Sequence, residues 1–372
     1  MDHVLPGLPG INPAITRAPL RIGLLGTARI ADLAVIGPAR LLGARLVAVA
    51  ARDRDRAETW AAANGVERVL DSYQAVIDDP EVEAIYNPLP NSFHAPWNAA
   101  AIRAGKHVLT EKPFATNAEE ARQVHELAQR SDRIVFEGFH YAYHPIFARV
   151  LELIGDGTIG DLEHFHVAME MPAPGPDDLR WSWPLAGGAF MDLGCYCVHA
   201  IRMVAAAQGG TPTLLHAATE ERAGLAQIDE WTTATFQLPG RAQATALANM
   251  DGPWNFSITA TGTNGRIHLP DFLHTNDDDR LIVTTDDAER VEHHGALSTY
   301  TYQLHAFTSA IRQGRPYLTT TSDSVATMEL VDECYRGAGL RPRESSLTGP
   351  VKVSAATTQP AVPTGAVRGD HR

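Results

Sequence analysis

Five short apolar runs, each separated from the next by a longer helical pattern, fill residues 20–137 and constrain this 372-residue chain more than any other feature. The runs are 20–25, 45–50, 82–86, 107–109 and 134–137, and the helical patterns between them are 30–42, 54–64, 96–104 and 115–130. Strands that alternate with helices return in the same direction, so the pattern predicts an α/β, doubly wound parallel sheet with right-handed crossovers. An apolar fraction of 44% with 20% charged residues is enough to build such a core.

After about residue 138 the rhythm changes. A helix is expected over 145–154, then period-two runs at 162–171, 232–238, 242–248, 256–261 and 281–285. The turns Pro239-Gly240 and Asn264-Gly265 carry hairpin chemistry, so this half predicts a large open, mostly antiparallel sheet. Helices over 302–313 and 322–337 close the ordered chain. The expected organisation is an irregular arm at 1–19, a parallel-sheet domain at 20–138 completed by a helix at about 322–338, and an α+β domain at 139–321. The segment 344–372, poor in large apolar residues, is expected to be a disordered tail.

A formal charge of −13 excludes a general nucleic-acid grip. No segment approaches the ~18 consecutive apolar residues of a membrane span. The start, Met1 to Pro6, lacks the basic and apolar regions of a signal peptide. Cys195 and Cys197 are too close in one helix to bridge, and Cys334 is the third cysteine, which fits a reducing, cytoplasmic setting.

The first run closes on Gly26, and Gly26-Thr27-Ala28-Arg29-Ile30-Ala31 opens the next helix. There, backbone N–H groups and the helix dipole attract a pyrophosphate. Only the first glycine of the dinucleotide fingerprint is present, and Ala28 and Ala31 take the other two places. The second run ends Ala51-Arg52-Asp53. An arginine there suits a 2′-phosphate and an acid suits a free ribose, so NADP(H) is the expected cofactor, with NAD(H) open. Leu89, Pro90, Asn91 and His94 follow the third run as a groove wall, where Asn91 and His94 either touch the nicotinamide ribose or cap a helix.

Glu111-Lys112-Pro113 follows the fourth run, and Asp192 and Tyr196 sit four residues apart after Gly187-Gly188. Lysine and tyrosine are poor acids and bases at pH 7, with reference values of roughly 10 or above. An ammonium beside a phenol favours the phenolate, so the two together point to proton transfer at an alcohol or carbonyl. His199, three after Tyr196, either shares the substrate face or is a satisfied helix histidine, and Trp181 is a candidate substrate contact. His140 and His144 have a zinc-compatible spacing without further ligands, so aromatic packing and no metal are expected. Asp277-Asp278-Asp279 reads as a solvated loop.

From about residue 20 to 339 these motifs resemble the glucose–fructose oxidoreductase, inositol dehydrogenase and rhizopine-catabolism family, Gfo/Idh/MocA. Tyr196 stands where many members carry histidine, which is similar to the branch of dihydrodiol and xylose dehydrogenases. The resemblance implies a Rossmann-like dinucleotide domain and a catalytic pair of Lys112 and Tyr196, with Asp192 orienting the substrate. It also implies contacts to cofactor from Gly26, Thr27, Ala28, Arg29, Ile30, Arg52, Glu111 and Lys112, and a homo-oligomer built through the open sheet. The expected activity is hydride transfer between NADP(H) and a sugar-like or cyclic polyol. The rival readings are a glycosidase or lyase that retains its dinucleotide and a sensor that binds NADP without catalysis.

Overall fold

The computed structural model describes residues 19–286 and 288–347. The arm at 1–18, Asp287 and the segment 348–372 lie outside the described residues.

The first apolar runs become β1 (Arg21–Leu25), β2 (Arg45–Ala50), β4 (Ala84–Asn87), β5 (His107–Thr110) and β6 (Val135–Glu137), with a short β3 (Arg68–Val69) on the edge. All pair in parallel, in the order β3-β2-β1-β4-β5-β6. The order reverses between β1 and β4, and at such a switch point the loops after the strands leave a ligand crevice. Helices α1 (Gly37–Leu42), α2 (Arg54–Asn64), α3 (Tyr73–Asp78), α4 (His94–Arg103) and α5 (Ala118–Gln129) join the strands. The helix expected at 30–42 starts as a wide π-turn, Asp32–Ile36. Pro38, in the first turn of α1, has no N–H for the preceding turn, and that turn widens.

The second half begins with α6 (Pro145–Gly155) and β7 (Leu162–Glu170), then a π-turn, Phe190–Gly194, that runs into α7 (Cys195–Ala207). Next come β8 (Thr213–Glu221), β9 (Asp229–Gln237), β10 (Gln243–Asn249), β11 (Asn255–Gly262), β12 (Gly265–Leu269), β13 (Arg280–Thr285) and β14 (Glu289–His293). With β7 they form an eight-stranded sheet in the order β14-β13-β12-β11-β7-β10-β9-β8. Neighbours are antiparallel except β7 and β10, which run parallel. Ala244, Ala246 and Ala248 are fully buried on one face, while Thr245 and Leu247 alternate onto the other. The stretch Trp183–Ala207 is long and apolar enough to cross a membrane, but 78% of its apolar window is buried inside the protein, as a core helix is.

Two last helices tie the halves together. α8 (Thr299–Gln313) packs on α1, and its Phe307 meets Phe136 of β6 with ring centroids 5.1 Å apart. Tyr317, beyond α8, stacks on the same ring at 4.4 Å, and such pairs add about 0.5–1.5 kcal/mol each to simple burial. α9 (Thr321–Gly337) lies between α5 and α7: Glu329 pairs with Arg122 at 2.8 Å and Asp323 with Arg202 at 2.6 Å. It therefore serves both halves, where the sequence placed it with the first alone.

The chain beyond α9 returns to the core. Arg343 and Asp229 form a fully buried pair at 2.7 Å, joined by the Tyr335 hydroxyl. Ser346 and Leu347, expected in a disordered tail from 344, donate backbone N–H groups to Glu120 Oε1 at 2.8 and 3.1 Å. A carboxylate with several donors holds this part of the expected tail in place.

Candidate active site

The crevice above the switch point begins at Gly26, whose backbone has φ +91°. A Cβ there would stand 3.4 Å from Leu89 Cδ2 and 3.7 Å from Tyr73 Oη, so glycine leaves space at the mouth of the loop. Thr27 is buried, Ala28 and Ile30 are half-buried, and the Thr27 carbonyl accepts from the Arg56 guanidinium at 3.3 Å. Asp53 caps α2 by accepting from the Arg56 N–H at 3.0 Å, which commits its carboxylate to the helix. Arg29 and Arg52 are exposed and have no hydrogen bond or ion pair among the described residues.

Across the crevice, His94 differs from its expected role. It is 1% exposed, and its Nδ1 and Nε2 lie 2.7 and 2.6 Å from the carbonyls of Pro113 and Leu89. Burial draws the imidazole down to about 4 while those carbonyls pull it up. The ring thus clamps the loop after β4 to the turn that carries Lys112 and has no nitrogen left for a ribose. Asn91 donates to the Ala186 carbonyl at 3.0 Å, joining the Rossmann edge to the second half, and Leu89 and Pro90 remain half-buried beside it. Glu111 is buried and accepts from the Tyr86 hydroxyl at 2.9 Å; burial raises its carboxyl above the usual range.

Lys112 points from the end of β5 into the second half, after which the Lys112-Pro113 peptide is cis. Its ammonium donates to Asp192 Oδ1 and to the Asp192 carbonyl, both at 2.9 Å. The other Asp192 oxygen accepts from Arg180 Nε at 2.8 Å. Burial opposes charge on Asp192, but Lys112 and Arg180 outweigh it and hold the carboxyl far below its ordinary value. Burial likewise disfavours the Lys112 ammonium, and Asp192 more than restores it. The site therefore contains a fixed, charged lysine. Gly188, at φ +119°, lets this segment press against Asp229 and Arg343, where a Cβ would come within 2.3 Å of Arg343 Nη2.

Tyr196, on the first turn of α7, lies beside the lysine but not as expected. Lys112 Nζ sits over the ring face, 5.2 Å from its centroid, a cation–π arrangement. The phenol oxygen is 3.1 Å from His140 Nε2. Burial, with Tyr300 and Glu111 nearby, pushes the phenol well above 10, the reverse of the lowering expected from the lysine. His140 Nδ1 lies 2.7 Å from Thr299 Oγ1, and that hydroxyl already donates to the Leu273 carbonyl at 2.9 Å. His140 must therefore donate from Nδ1 and accept from Tyr196 at Nε2. Burial keeps its imidazole well below the usual value, hence neutral.

The two substrate contacts outside this group do not reach it. His199 is fully buried, with Tyr141 Oη 2.6 Å from Nδ1 and Asp323 Oδ2 3.2 Å from Nε2. Trp181 is 4% exposed, donates Nε1 to the Pro174 carbonyl at 3.2 Å and is covered by the Arg222 guanidinium at 4.2 Å. Both are core residues. Conversely, Arg180, His140 as the partner of Tyr196, and Thr299 escaped sequence reasoning. His140 was visible only as a junction aromatic, and stacking on Tyr300 with centroids 3.7 Å apart supports that part.

Comparison with known proteins identifies the two domains that meet at this site. Residues 20–139 match the oxidoreductase family with an NAD-binding Rossmann fold, and residues 147–268 match the GFO/IDH/MocA C-terminal domain. The chain belongs to the Gfo/Idh/MocA oxidoreductases. Among similar members, the D-xylose 1-dehydrogenase (NADP(+)) 2 of Haloferax volcanii is 29% identical, over 86% of this chain and 97% of that one. A dTDP-3,4-didehydro-2,6-dideoxy-alpha-D-glucose 3-reductase of Streptomyces antibioticus is 31% identical over 87% of this chain and 98% of its own. The crystal structure of a 3-ketoreductase from Actinomadura kijaniata, in complex with NADP and TDP-benzene, superposes with a TM-score of 0.79. It is 25% identical and the match covers 87% of this chain and 98% of that one. This Gfo/Idh/MocA chain is thus an oxidoreductase whose first domain binds NAD(P).

Proposed function

We propose that the protein transfers a hydride between NADP(H) and a carbinol or carbonyl carbon of a sugar-like or cyclic polyol substrate, with Lys112 and Tyr196 serving the oxygen on that carbon. The observation that carries this reading is the convergence of Lys112, from the parallel sheet, with Asp192 and Tyr196, from the second domain, within one ion-pair and cation–π cluster. The Actinomadura 3-ketoreductase supports it further: it has been solved with a lysine and a tyrosine replaced, separated by the same interval as Lys112 and Tyr196.

The residues fit a dinucleotide. Gly26 leaves the loop open, Thr27 to Ile30 frame it, and Arg29 and Arg52 are available to a 2′-phosphate while Asp53 is held by α2. NADP(H), when bound, supplies or accepts the hydride. Lys112, kept charged by Asp192, stabilises negative charge on the substrate oxygen. In oxidation the substrate hydroxyl passes its proton to Tyr196 as the tyrosine proton moves to His140 Nε2, which carries charge only during that step and returns the proton through Tyr196 to solvent once the carbonyl product leaves; reduction takes a proton from solvent by the same route. Asp192, bound by two cations, positions Lys112 in place of contacting substrate.

Assays of aldoses, inositols and trans-dihydrodiols with NADP and NAD, followed by nicotinamide absorbance, test this proposal. Turnover with net cofactor reduction is expected, faster with NADP. Turnover of a glycoside without an absorbance change would instead indicate a retained cofactor.

A further inference from the structure

Asp229, Tyr335 and Arg343 are buried together, and the proposed hydride transfer makes no use of them. Arg343 Nη2 donates to Asp229 Oδ1 at 2.7 Å, and the Tyr335 hydroxyl donates to the same oxygen at 3.0 Å. The guanidinium also covers the Tyr335 and Trp183 rings, 4.2 and 4.7 Å from their centroids. Stability alone does not account for such a pair. Taking both charges out of water is costly, and well-packed apolar residues of similar volume commonly do as well or better.

What the group holds is backbone. Arg343 Nε donates to the Gly187 carbonyl at 2.8 Å. Asp229 Oδ2 accepts from the Phe190 N–H at 2.6 Å, and the Tyr335 oxygen accepts from the Met191 N–H at 3.1 Å. Phe190 and Met191 open the π-turn that runs into α7, and Ala189 before it supplies no side-chain cap. The first N–H groups of a helical turn find no partner inside it, so these distant side chains cap it instead. Asp192 is the next residue of the same turn, and its N–H donates to the Gly188 carbonyl at 3.1 Å.

Arg343 also reaches the other half of the site. Its carbonyl accepts from Asn117 Nδ2 at 2.8 Å, and Asn117 caps α5. One residue thus binds Gly187, five residues before Asp192, and Asn117, five residues after Lys112. Lys112 and Asp192 come from different domains, and Arg343 ties together the segments that carry them.

We propose that Asp229, Tyr335 and Arg343 are positioning residues that set the turn bearing Asp192 and, through it, the place of the Lys112 ammonium. The inference rests on the proposed role of Lys112 at the substrate oxygen. Asp192, Cys195, Glu111 and the Tyr196 ring face the ammonium, and among the described residues its hydrogen bonds go to Asp192 alone. A turn that moves therefore weakens the contact that holds the charge in place.

Competitive acetylation of the full-length protein by acetic anhydride, read by peptide mass, tests this. The Lys112 side chain is 14% exposed, and Lys106 serves as internal reference. Well below its pKa, an amine gains about tenfold in reactive fraction for each unit by which that pKa falls. Tyr335→Phe keeps the ring and removes the hydroxyl. At about pH 8.5 it should speed Lys112 labelling about tenfold relative to Lys106, a downward shift of about one unit. Arg343→Lys keeps a charge beside Asp229 but gives up the fork, and should act in the same direction. In an Asp192→Asn background the effect of Tyr335→Phe should vanish, because the contact it acts through is already lost.

Unchanged labelling in either folded variant would overturn the inference. So would a rise that persists in Asp192→Asn, which marks general loosening of the site. Labelling does not depend on turnover, so the two claims separate. If labelling responds as stated and no substrate is oxidised or reduced, the hydride-transfer reading alone fails. Turnover with unresponsive labelling refutes the positioning role alone.

Discussion

Tyr196 donates its hydroxyl hydrogen to Nε2 of His140, 3.1 Å away, and the direction of that bond is set two residues further along by Thr299 and the Leu273 carbonyl. A buried phenol whose ionisation is disfavoured can still relay a proton if a neutral base accepts from it while it accepts from substrate. The lysine beside it contributes charge, not a hydrogen bond to the same oxygen.

His140→Phe keeps the ring stacked on Tyr300 but removes both nitrogens. Turnover should fall at least about tenfold, a share of the roughly 10²–10⁴ that general acid–base help provides, with KM nearly unchanged. Because His140 is held neutral well below its usual value, the wild-type kcat profile should show no His140 titration near pH 6.5. A limb there that disappears in His140→Phe would contradict the relay.

The proposed preference for NADP(H) rests on Arg52, with Arg29 beside the loop. A charge-assisted hydrogen bond to a 2′-phosphate contributes about 1.5–3 kcal/mol, roughly ten- to a hundredfold in affinity. Fluorescence titration should show NADPH preferred over NADH by about tenfold or more, and Arg52→Ala should lose NADPH affinity selectively. Equal affinities in the wild type would leave Arg52 a surface charge.

Glu137, fully buried at the end of β6, accepts from the Phe114 N–H at 2.8 Å, next to the turn that carries Lys112. Burial raises its carboxyl from the ordinary 4.5 to about 8, partly opposed by Ser324. The folded state therefore holds a proton that the unfolded chain has released above about pH 4.5. Its contribution is fully present below that value and is lost as pH rises through 8. The Tm of Glu137→Gln should gain on that of wild type between pH 5 and 8. A constant difference would mean that Glu137 is ionised in the fold.

The strands of the parallel sheet could be read from sequence because strands buried on both faces are continuous apolar runs. β8 escaped notice because only Ala217 among its nine residues is fully buried, and β3 because two residues carry no period. Lys112, Asp192 and Tyr196 were recognisable as a motif. Their partners were not: Arg180 reaches Asp192 from a single 3-10 turn, Leu179–Trp181, and Thr299 reaches His140 across 159 positions. His94 and Trp181 turn to backbone carbonyls, and His199 is the satisfied helix histidine of its two readings, since a polar ring near a motif looks the same in sequence whether it faces a ligand or a buried partner.

The eight-stranded sheet supports an assembly prediction. α7 and α9 pack on it and on each other, so they cover one face, while Trp231, Thr233, Thr245, Leu247 and His166 lie half-buried on the other. A face that no described residue covers favours isologous pairing. Sedimentation at micromolar concentration should show a dimer or larger, and Leu247→Glu should shift it towards monomer. A monomeric wild type would refute this.

The central claim is that Lys112 and Tyr196 perform the proton and charge chemistry of an NADP-linked oxidation at a carbinol carbon. The most direct measurement is pre-steady-state NADPH formation by wild type, Tyr196→Phe and Lys112→Met with the best polyol or aldose found. Each variant should lower the rate of the chemical step by about 10²–10⁴, with NADP affinity little changed in Tyr196→Phe. A near-wild-type rate in either variant would contradict the account.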